Sequence, residues 1–123
     1  MRLTRRKFDE LVREALESLP DEFLDRLDNV DVLVREQPTR TQMQEQGLGA
    51  HETLFGLYEG VPLTHRNSYG NVLPDRITIF QRPIEMVCET REEIVEQVRK
   101  TVVHEIAHFF GMDDDALDDM GLG

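Results

Sequence analysis

The sequence is poor in the residues that define several large classes of protein. It contains one cysteine, Cys88, and no tryptophan, and none of its apolar runs reaches the length needed to span a membrane. One cysteine cannot form an internal disulfide, which excludes a disulfide-stapled secreted domain and a CxxC-type metal site. The N-terminal segment lacks the continuous apolar core of a signal peptide. We interpret Cys88 as a structural residue and expect the chain to stay in the cytoplasm.

Positive charge is also scarce. Lysine and arginine together number 14 against 25 aspartates and glutamates, which gives a net charge of -11. An acidic surface opposes a long contact with nucleic acid or with an anionic membrane, and it is an ordinary route to solubility. We therefore predict neither partner. The length of 123 residues predicts a single domain over 1–123.

One stretch near the C-terminal end carries the pattern H-E-x-x-H-x-x-G-x-x-D. His104 and His108 lie four residues apart, so on a helix they share a face and can offer two imidazoles to one ion. Glu105 follows the first histidine and is a candidate base. Gly111 can adopt the positive φ that ends a helix and reverses the chain, which would let Asp114 return as a third ligand.

Such a ligand set is typical of a mononuclear zinc hydrolase. Two imidazoles and one carboxylate leave a fourth position for water, whose pKa zinc lowers toward about 7. Glu105 would then accept the proton and pass it to the leaving amine. Iron, manganese or cobalt could also occupy the site. The neighbouring Asp113 and Asp115 remain alternatives to Asp114 as the third ligand.

Hydrophobic periodicity predicts an α+β chain. The segments 36–52 and 64–75 show neither helical nor strand periodicity and are predicted as loops. The segment 116–120 is predicted as a last helical turn. Pro83 is expected to end the third strand, and Thr90 and Glu93 to form a capping box. The predicted elements are a helix over 4–19 that starts at Thr4 and stops before Pro20, a short helix over 21–27, strands over 29–35, 53–58 and 76–81, and a long helix from Thr90.

The faces of the long helix separate the motif from the core. His104 and His108 share a face with Gln97, which predicts histidines that look into a cleft. The predicted core arc of the same helix is apolar and consists of Val102, Val103, Ile106, Ala107, Phe109 and Phe110.

Three segments together resemble the small bacterial zincin-like metallopeptidases: Leu54–Leu63, Leu73–Phe80 and His104–Asp114. The resemblance implies a minimal zincin-like fold, in which a small mixed β-sheet of three to four strands packs on an N-terminal helix and a long metal-binding helix. It also implies zinc-dependent peptide hydrolysis, with metal ligands at His104, His108 and Asp114. Only nine residues follow Asp114, too few for the methionine turn and C-terminal subdomain of larger metzincins. We therefore expect short or unstructured peptides as substrates.

Two other functions share parts of this pattern. A zinc-bound scaffold could keep the site for stability or for binding a partner, although a purely structural zinc site is usually closed by four protein ligands and needs no base. Bacterial endoribonucleases that process ribosomal RNA place metal ligands at the same spacing, but they lack the glutamate and tend to carry basic surface. The presence of Glu105 and the net charge of -11 disfavour the endoribonuclease.

Zincins hold an extended peptide against an edge strand that runs beside the motif helix. The strand Arg76–Gln81 is the last before that helix, and we predict that it is the edge strand that binds the peptide. The loops 36–52 and 64–75 would complete recognition. Four further side chains could orient the substrate or stabilise an oxyanion: His51, His65, Tyr58 and Tyr69.

Overall fold

The structure is a computed structural model that describes residues 1–49, 53–60 and 74–112. It confirms an α+β chain with a small mixed sheet. Within the described ranges no helix is long and apolar enough to cross a membrane. The elements are α1 (Arg5–Glu17), α2 (Asp21–Leu27), β1 (Val30–Arg35), α3 (Arg40–Glu45), β2 (Gly56–Glu59), β3 (Asp75–Phe80), α4 (Gln81–Val87) and α5 (Arg91–Phe109).

The three strands have the order β1-β3-β2, with β3 parallel to β1 and antiparallel to β2. Ile77 in the middle of β3 lies opposite Val32 on one side and Tyr58 on the other. The prediction that 76–81 is an edge strand is therefore wrong. The alternation of side chains along a strand reports which face is buried, whereas an edge is defined by unpaired backbone groups, which that alternation does not report.

The core lies between one face of the sheet and the helices α1 and α5. Ile77 and Ile79 of β3 belong to it and are fully buried. Thr4 caps α1 as predicted, because its side chain accepts a hydrogen bond from the Lys7 N–H at 3.2 Å. The buried partners from the two helices are Phe8, Val12, Ala15, Ile94, Val98, Val102, Val103 and Ile106.

Helix α3 lies in a segment that the sequence predicts as a loop. Thr39 and Gln42 form a capping box: the Thr39 hydroxyl accepts from the Gln42 N–H at 3.0 Å, and the Gln42 side chain accepts from the Thr39 N–H at 2.9 Å. None of the residues of α3 is buried, so the segment carries no apolar stripe from which a helix could be predicted. The capping pair is the local signal of this helix.

Helix α4 follows β3 without a connecting loop, and β3 ends at Phe80, so the prediction that Pro83 ends the third strand is wrong. Pro83 is the third residue of α4. The first four N–H groups of a helix have no acceptor within the helix, and a proline there loses no hydrogen bond. The β3–α4 junction continues directly into a polar cluster.

This cluster surrounds the Glu85 carboxylate, and the residue is 3% exposed. The carboxylate accepts hydrogen bonds from the Leu3 N–H at 2.8 Å, the Gln81 amide at 3.0 Å and the Arg82 guanidinium at 2.6 Å, and Arg82 also binds Glu36 at 3.0 Å. Burial alone would raise the pKa of Glu85, but these hydrogen bonds outweigh it and lower the pKa below its ordinary value. We call Leu3, Glu36, Gln81, Arg82 and Glu85 the Glu85 cluster; it joins the N-terminal segment to α4 and to the end of β1.

Candidate metal centre

The motif helix α5 begins where the sequence predicts. The Thr90 hydroxyl accepts a hydrogen bond from the Glu93 N–H at 3.1 Å. In a capping box the Glu93 carboxylate would accept a hydrogen bond from the Thr90 N–H. Here it accepts from the N–H of the preceding residue, Glu89, at 3.3 Å. Glu92 and Glu93 in the first turn are favourable beside the positive end of the helix dipole.

The other end of α5 closes with a Schellman turn. Gly111 has a φ of 70°, the Met112 N–H donates to the Ala107 carbonyl at 2.8 Å, and the Gly111 N–H donates to the His108 carbonyl at 3.3 Å. The prediction that Gly111 adopts a positive φ at the end of the helix is confirmed.

Several predicted positions lie outside the described residues. Asp114 is one of them, together with its alternatives Asp113 and Asp115 and the turn predicted over 116–120. The assignment of Asp114 as the third ligand therefore stays a prediction. The same holds for His51, His65 and Tyr69.

His104 and His108 stand side by side on the exposed face of α5. Their ring centroids are 6.5 Å apart and the ring planes differ by 14°. Behind them Val103, Ile106 and Ala107 are buried. The predicted separation of the histidines from the core is confirmed.

The predicted core arc extends too far along the helix, because Phe109 and Phe110 are 46% and 43% exposed. The last core residue of α5 is Ala107, and the two aromatic rings pack on one another and on Tyr58 of β2. The Arg26 guanidinium lies 4.7 Å above the Phe110 ring, a cation–π contact from α2. Hydrophobic type alone does not show where a helix leaves its core.

The described residues fit part of a zinc site. Zinc binds each imidazole nitrogen at about 2.0–2.1 Å, so the nitrogens of two ligands lie within about 4 Å of each other. His104 and His108 are exposed on one face, and two histidines four residues apart on a helix can bind one ion. Across the described ranges no group of three or more histidine, cysteine, aspartate or glutamate residues is placed to hold an ion. The predicted third ligand, Asp114, lies outside those ranges.

Glu105 connects the motif helix to β2. Its carboxylate oxygen Oε1 accepts a hydrogen bond from the Tyr58 N–H at 3.1 Å. The Phe80 N–H donates to the Phe55 carbonyl at 2.9 Å, so alternate residues from Phe55 onward turn their backbone groups toward β3. Tyr58 is not one of these residues, so its N–H points away from β3. Among the described strands, β2 is therefore the edge strand that lies beside the motif.

Contacts between β2 and α5 repeat at regular intervals along both elements. Two residues along a strand advance about 6.6 Å and four residues along a helix about 6 Å, so contacts at these intervals can repeat. A Cβ on Gly56 would lie 2.6 Å from Cγ2 of Thr101, and a Cβ on Gly60 would lie 2.9 Å from Cζ of Phe109. The three successive contacts are Gly56 with Thr101, Tyr58 with Glu105, and Gly60 with Phe109.

The sequence profile of a zincin-like metallopeptidase family matches residues 27–123. The chain belongs to this family. Among solved structures, a conserved hypothetical protein from Thermo thermophilus is similar to this zincin-like chain, with 24% sequence identity and a TM-score of 0.56. The similarity covers 88% of this chain and 94% of that one, and at this identity it shows the fold alone. No curated protein matches the sequence.

In this zincin-like domain Tyr58 packs against the end of the motif helix. Its ring stacks on Phe109 with centroids 4.0 Å apart, and its hydroxyl donates to the Asp75 carboxylate at 2.7 Å. The Tyr58 hydroxyl, a candidate for stabilising an oxyanion, is therefore hydrogen-bonded to a residue of β3. Sequence reasoning missed the supporting roles of Gly56, Thr101 and Asp75, although two glycines four residues apart at a strand are a signal of close backbone approach.

We predict that Gly56→Ala destabilises the zincin-like fold by about 1–3 kcal/mol, because the added methyl overlaps Thr101 and presses on the Thr78 carbonyl. Thr101→Ser removes the overlapping methyl and keeps the hydroxyl, which donates to the Gln97 carbonyl at 2.7 Å. The penalty of Gly56→Ala should therefore be smaller in the Thr101→Ser background. Urea denaturation of the four proteins measures the difference, and an equal penalty in both backgrounds would contradict the predicted contact.

Proposed function

We propose that this chain is a zinc-dependent metallopeptidase that hydrolyses peptide bonds in short or unstructured peptides. The observation that carries the proposal is the position of Glu105, which stands on α5 beside the exposed His104 and His108 and reaches the outward edge of β2. A candidate base and a pair of candidate ligand imidazoles thus occur together beside β2. Membership of the zincin-like metallopeptidase family supports the same chemistry.

In this proposal His104, His108 and Asp114 hold the metal. When bound, zinc supplies a Lewis acid for the scissile carbonyl and lowers the pKa of water toward about 7. Iron, manganese or cobalt would suit the same nitrogen and oxygen ligands.

Glu105 carries the proton transfers. Its carboxylate would accept a proton from the attacking water and donate it to the amine that leaves. Both steps need a carboxylate within hydrogen-bond reach of the reacting groups, on the side of α5 that the histidines share. The exposed face of His104 and His108 is open to a substrate, whereas the opposite face of the helix is packed into the core.

The peptide substrate would pair with β2. Its outward edge carries the Tyr58 N–H. The contacts of Gly56 with Thr101 and of Gly60 with Phe109 place this edge beside the motif. Main-chain hydrogen bonds along such an edge fix the register of an extended peptide. The net charge of -11 supports a protein or peptide partner rather than nucleic acid or an anionic membrane. Cys88, buried and unpaired, supports a reducing compartment, and we propose the cytoplasm.

A zinc-bound scaffold is the second candidate, and the hydrogen bond between Glu105 and the Tyr58 N–H favours it. This contact gives the carboxylate a structural task, the joining of α5 to β2, which would retain a glutamate without catalysis. Zinc would then stabilise the fold or a surface for a partner.

A metal analysis combined with a cleavage assay tests the proposal. We expect about one zinc per chain in the purified protein, hydrolysis of a library of short peptides, and loss of turnover on chelation that zinc restores. Folded proteins should be spared. Stoichiometric zinc without any cleavage would support the scaffold, and a chain that binds no metal would exclude both functions.

A further inference from the structure

The strand β1 forms the side of the sheet that lies opposite to β2. We propose that β1 pairs with β1 of a second copy of this chain, antiparallel about a two-fold axis at Leu33, so that two sheets join into one of six strands. This inference does not depend on the proposed function, because β3 lies between β1 and the strand that contacts the motif helix.

The backbone of β1 carries the first step, because half of its hydrogen-bonding groups face away from the sheet. On β3 the Phe80 N–H turns toward the β2 side, so the odd-numbered residues of β3 turn toward β1. Their parallel partners Val32 and Val34 therefore turn their own N–H and C=O groups outward. The Val34 carbonyl agrees with this direction, since it accepts from the Arg5 guanidinium of α1 at 2.9 Å. Across the described ranges no strand pairs with this side of β1.

The sequence of β1 is self-complementary in one register. Asp31-Val32-Leu33-Val34-Arg35 has a valine on each side of Leu33 and opposite charges at its two ends. In an antiparallel pair centred on Leu33, Asp31 of each copy faces Arg35 of the other. Opposite charges that face each other across a strand pair are favourable, whereas like charges are not. A shift of two residues in either direction loses both ion pairs, so charge selects this register and a symmetric, isologous contact.

The two charged side chains are exposed, and within the described residues neither forms an ion pair. The Arg35 guanidinium donates to the carbonyl of its neighbour Val34 at 3.2 Å. In the dimer it turns to Asp31 of the second copy. The Val34 carbonyl then keeps its bond from Arg5 and has a second lone pair for the Val32 N–H of the second copy.

A groove beside this edge adds apolar burial. Val12 and Leu16 of α1 line it together with Val32 and Val34 of β1, which are half-buried. Residues that face each other in a strand pair lie on the same side of the sheet, so the valines of the second copy would cover this groove. A single pair of strands makes a small interface, and we therefore expect association at high protein concentration.

Charge reversal tests the register. Asp31→Lys and Arg35→Glu each place like charges opposite one another at two positions, so each variant alone should associate at least about tenfold more weakly than the parent. An equimolar mixture of the two variants restores opposite charges at both positions and should associate as the parent does. Glu96→Lys, a charge reversal on the exposed side of α5, is the matched control and should also behave as the parent. Sedimentation equilibrium measures association, and circular dichroism shows that each variant is folded.

Cross-linking tests the same register without a change of charge at the ion pairs. Facing residues that are not hydrogen-bonded to each other have Cα atoms about 4.5 Å apart, within the range of a disulfide. Leu33→Cys should therefore give a disulfide-linked dimer on mild oxidation. Asp31→Cys should not, because the same residue of the second copy lies about 13 Å away along the strand. The parent controls for Cys88, which is buried.

Each outcome decides the inference. A parent that stays monomeric up to about 1 mM would overturn it. A dimer that is insensitive to both charge reversals, or that cross-links equally through Asp31→Cys and Leu33→Cys, uses another interface and would overturn it as well. If a charge reversal unfolds the chain, the two cysteine variants decide alone. Restored association in the mixture, together with a cross-link through Leu33→Cys, supports the pairing of β1 with its copy.

Discussion

Glu105→Gln should abolish peptide hydrolysis and leave the metal in place, whereas His104→Ala and His108→Ala should lose the metal and the hydrolysis together. A glutamine amide cannot accept the proton that the reaction releases, and a positioned base typically contributes about 10²–10⁴ in rate. The amide still fits beside Tyr58 and removes no metal ligand. Zinc per chain and turnover of a short peptide are the two measurements.

Thermal stability provides a second readout of the same variants. In the proposed function zinc binds the folded chain, so chelation should lower the melting temperature of the parent and of Glu105→Gln. The two histidine variants should melt at the chelated temperature from the start and respond little to chelator. Glu96→Ala, which removes an exposed carboxylate elsewhere on α5, should behave as the parent in every measurement. Parent-like zinc content in both histidine variants would contradict the site.

The sequence predicts the parts of this fold that depend on local chemistry. The Thr4 and Thr90 hydroxyls cap α1 and α5 as their positions predict, and Gly111 takes the positive φ that the end of α5 requires. The spacing of His104 and His108 also places them on the exposed face of the helix. Each of these features is decided within about four residues of chain, so the neighbouring residues suffice to predict it.

Features that depend on distant residues are not predictable in this way. The central position of β3 follows from backbone pairing with β1 and β2, which the side chains of β3 do not encode. The exposure of Phe109 depends on where α5 passes the end of β2. The Glu85 cluster connects residues as far apart as Leu3 and Glu85, and no local pattern marks its members.

The site shows the same division. Sequence spacing indicates the histidine pair and the glutamate, but it does not show that the glutamate reaches the Tyr58 backbone, 47 residues earlier in the chain. That contact exists because the intervals of two residues in β2 and four in α5 are nearly equal in length. A strand in another register would place a different backbone group opposite Glu105.

Glu85→Ala should be among the most destabilising single substitutions in the chain, by about 2–4 kcal/mol at pH 7, since removal of one member of a buried charge pair costs about 3–5 kcal/mol. The expected loss of stability lies below that range because Arg82 still has its ion pair with Glu36 and its side chain is 22% exposed. The substitution also leaves the Leu3 N–H and the Gln81 amide without their acceptor. Urea denaturation measures the loss, and Glu96→Ala should change the stability by less than about 0.5 kcal/mol.

The pH dependence identifies the charge as the cause. Hydrogen bonds lower the pKa of Glu85 in the folded chain below the unfolded value of about 4.3, so the folded state favours the ionised carboxylate. The stabilisation is therefore fully present above the unfolded pKa and is lost as the pH falls through the folded pKa. Glu85→Gln keeps the shape and removes the charge, so the difference in unfolding free energy between the parent and Glu85→Gln should shrink between about pH 6 and about pH 3. A difference that stays constant over this range would show that packing, rather than ionisation, accounts for the contribution of Glu85.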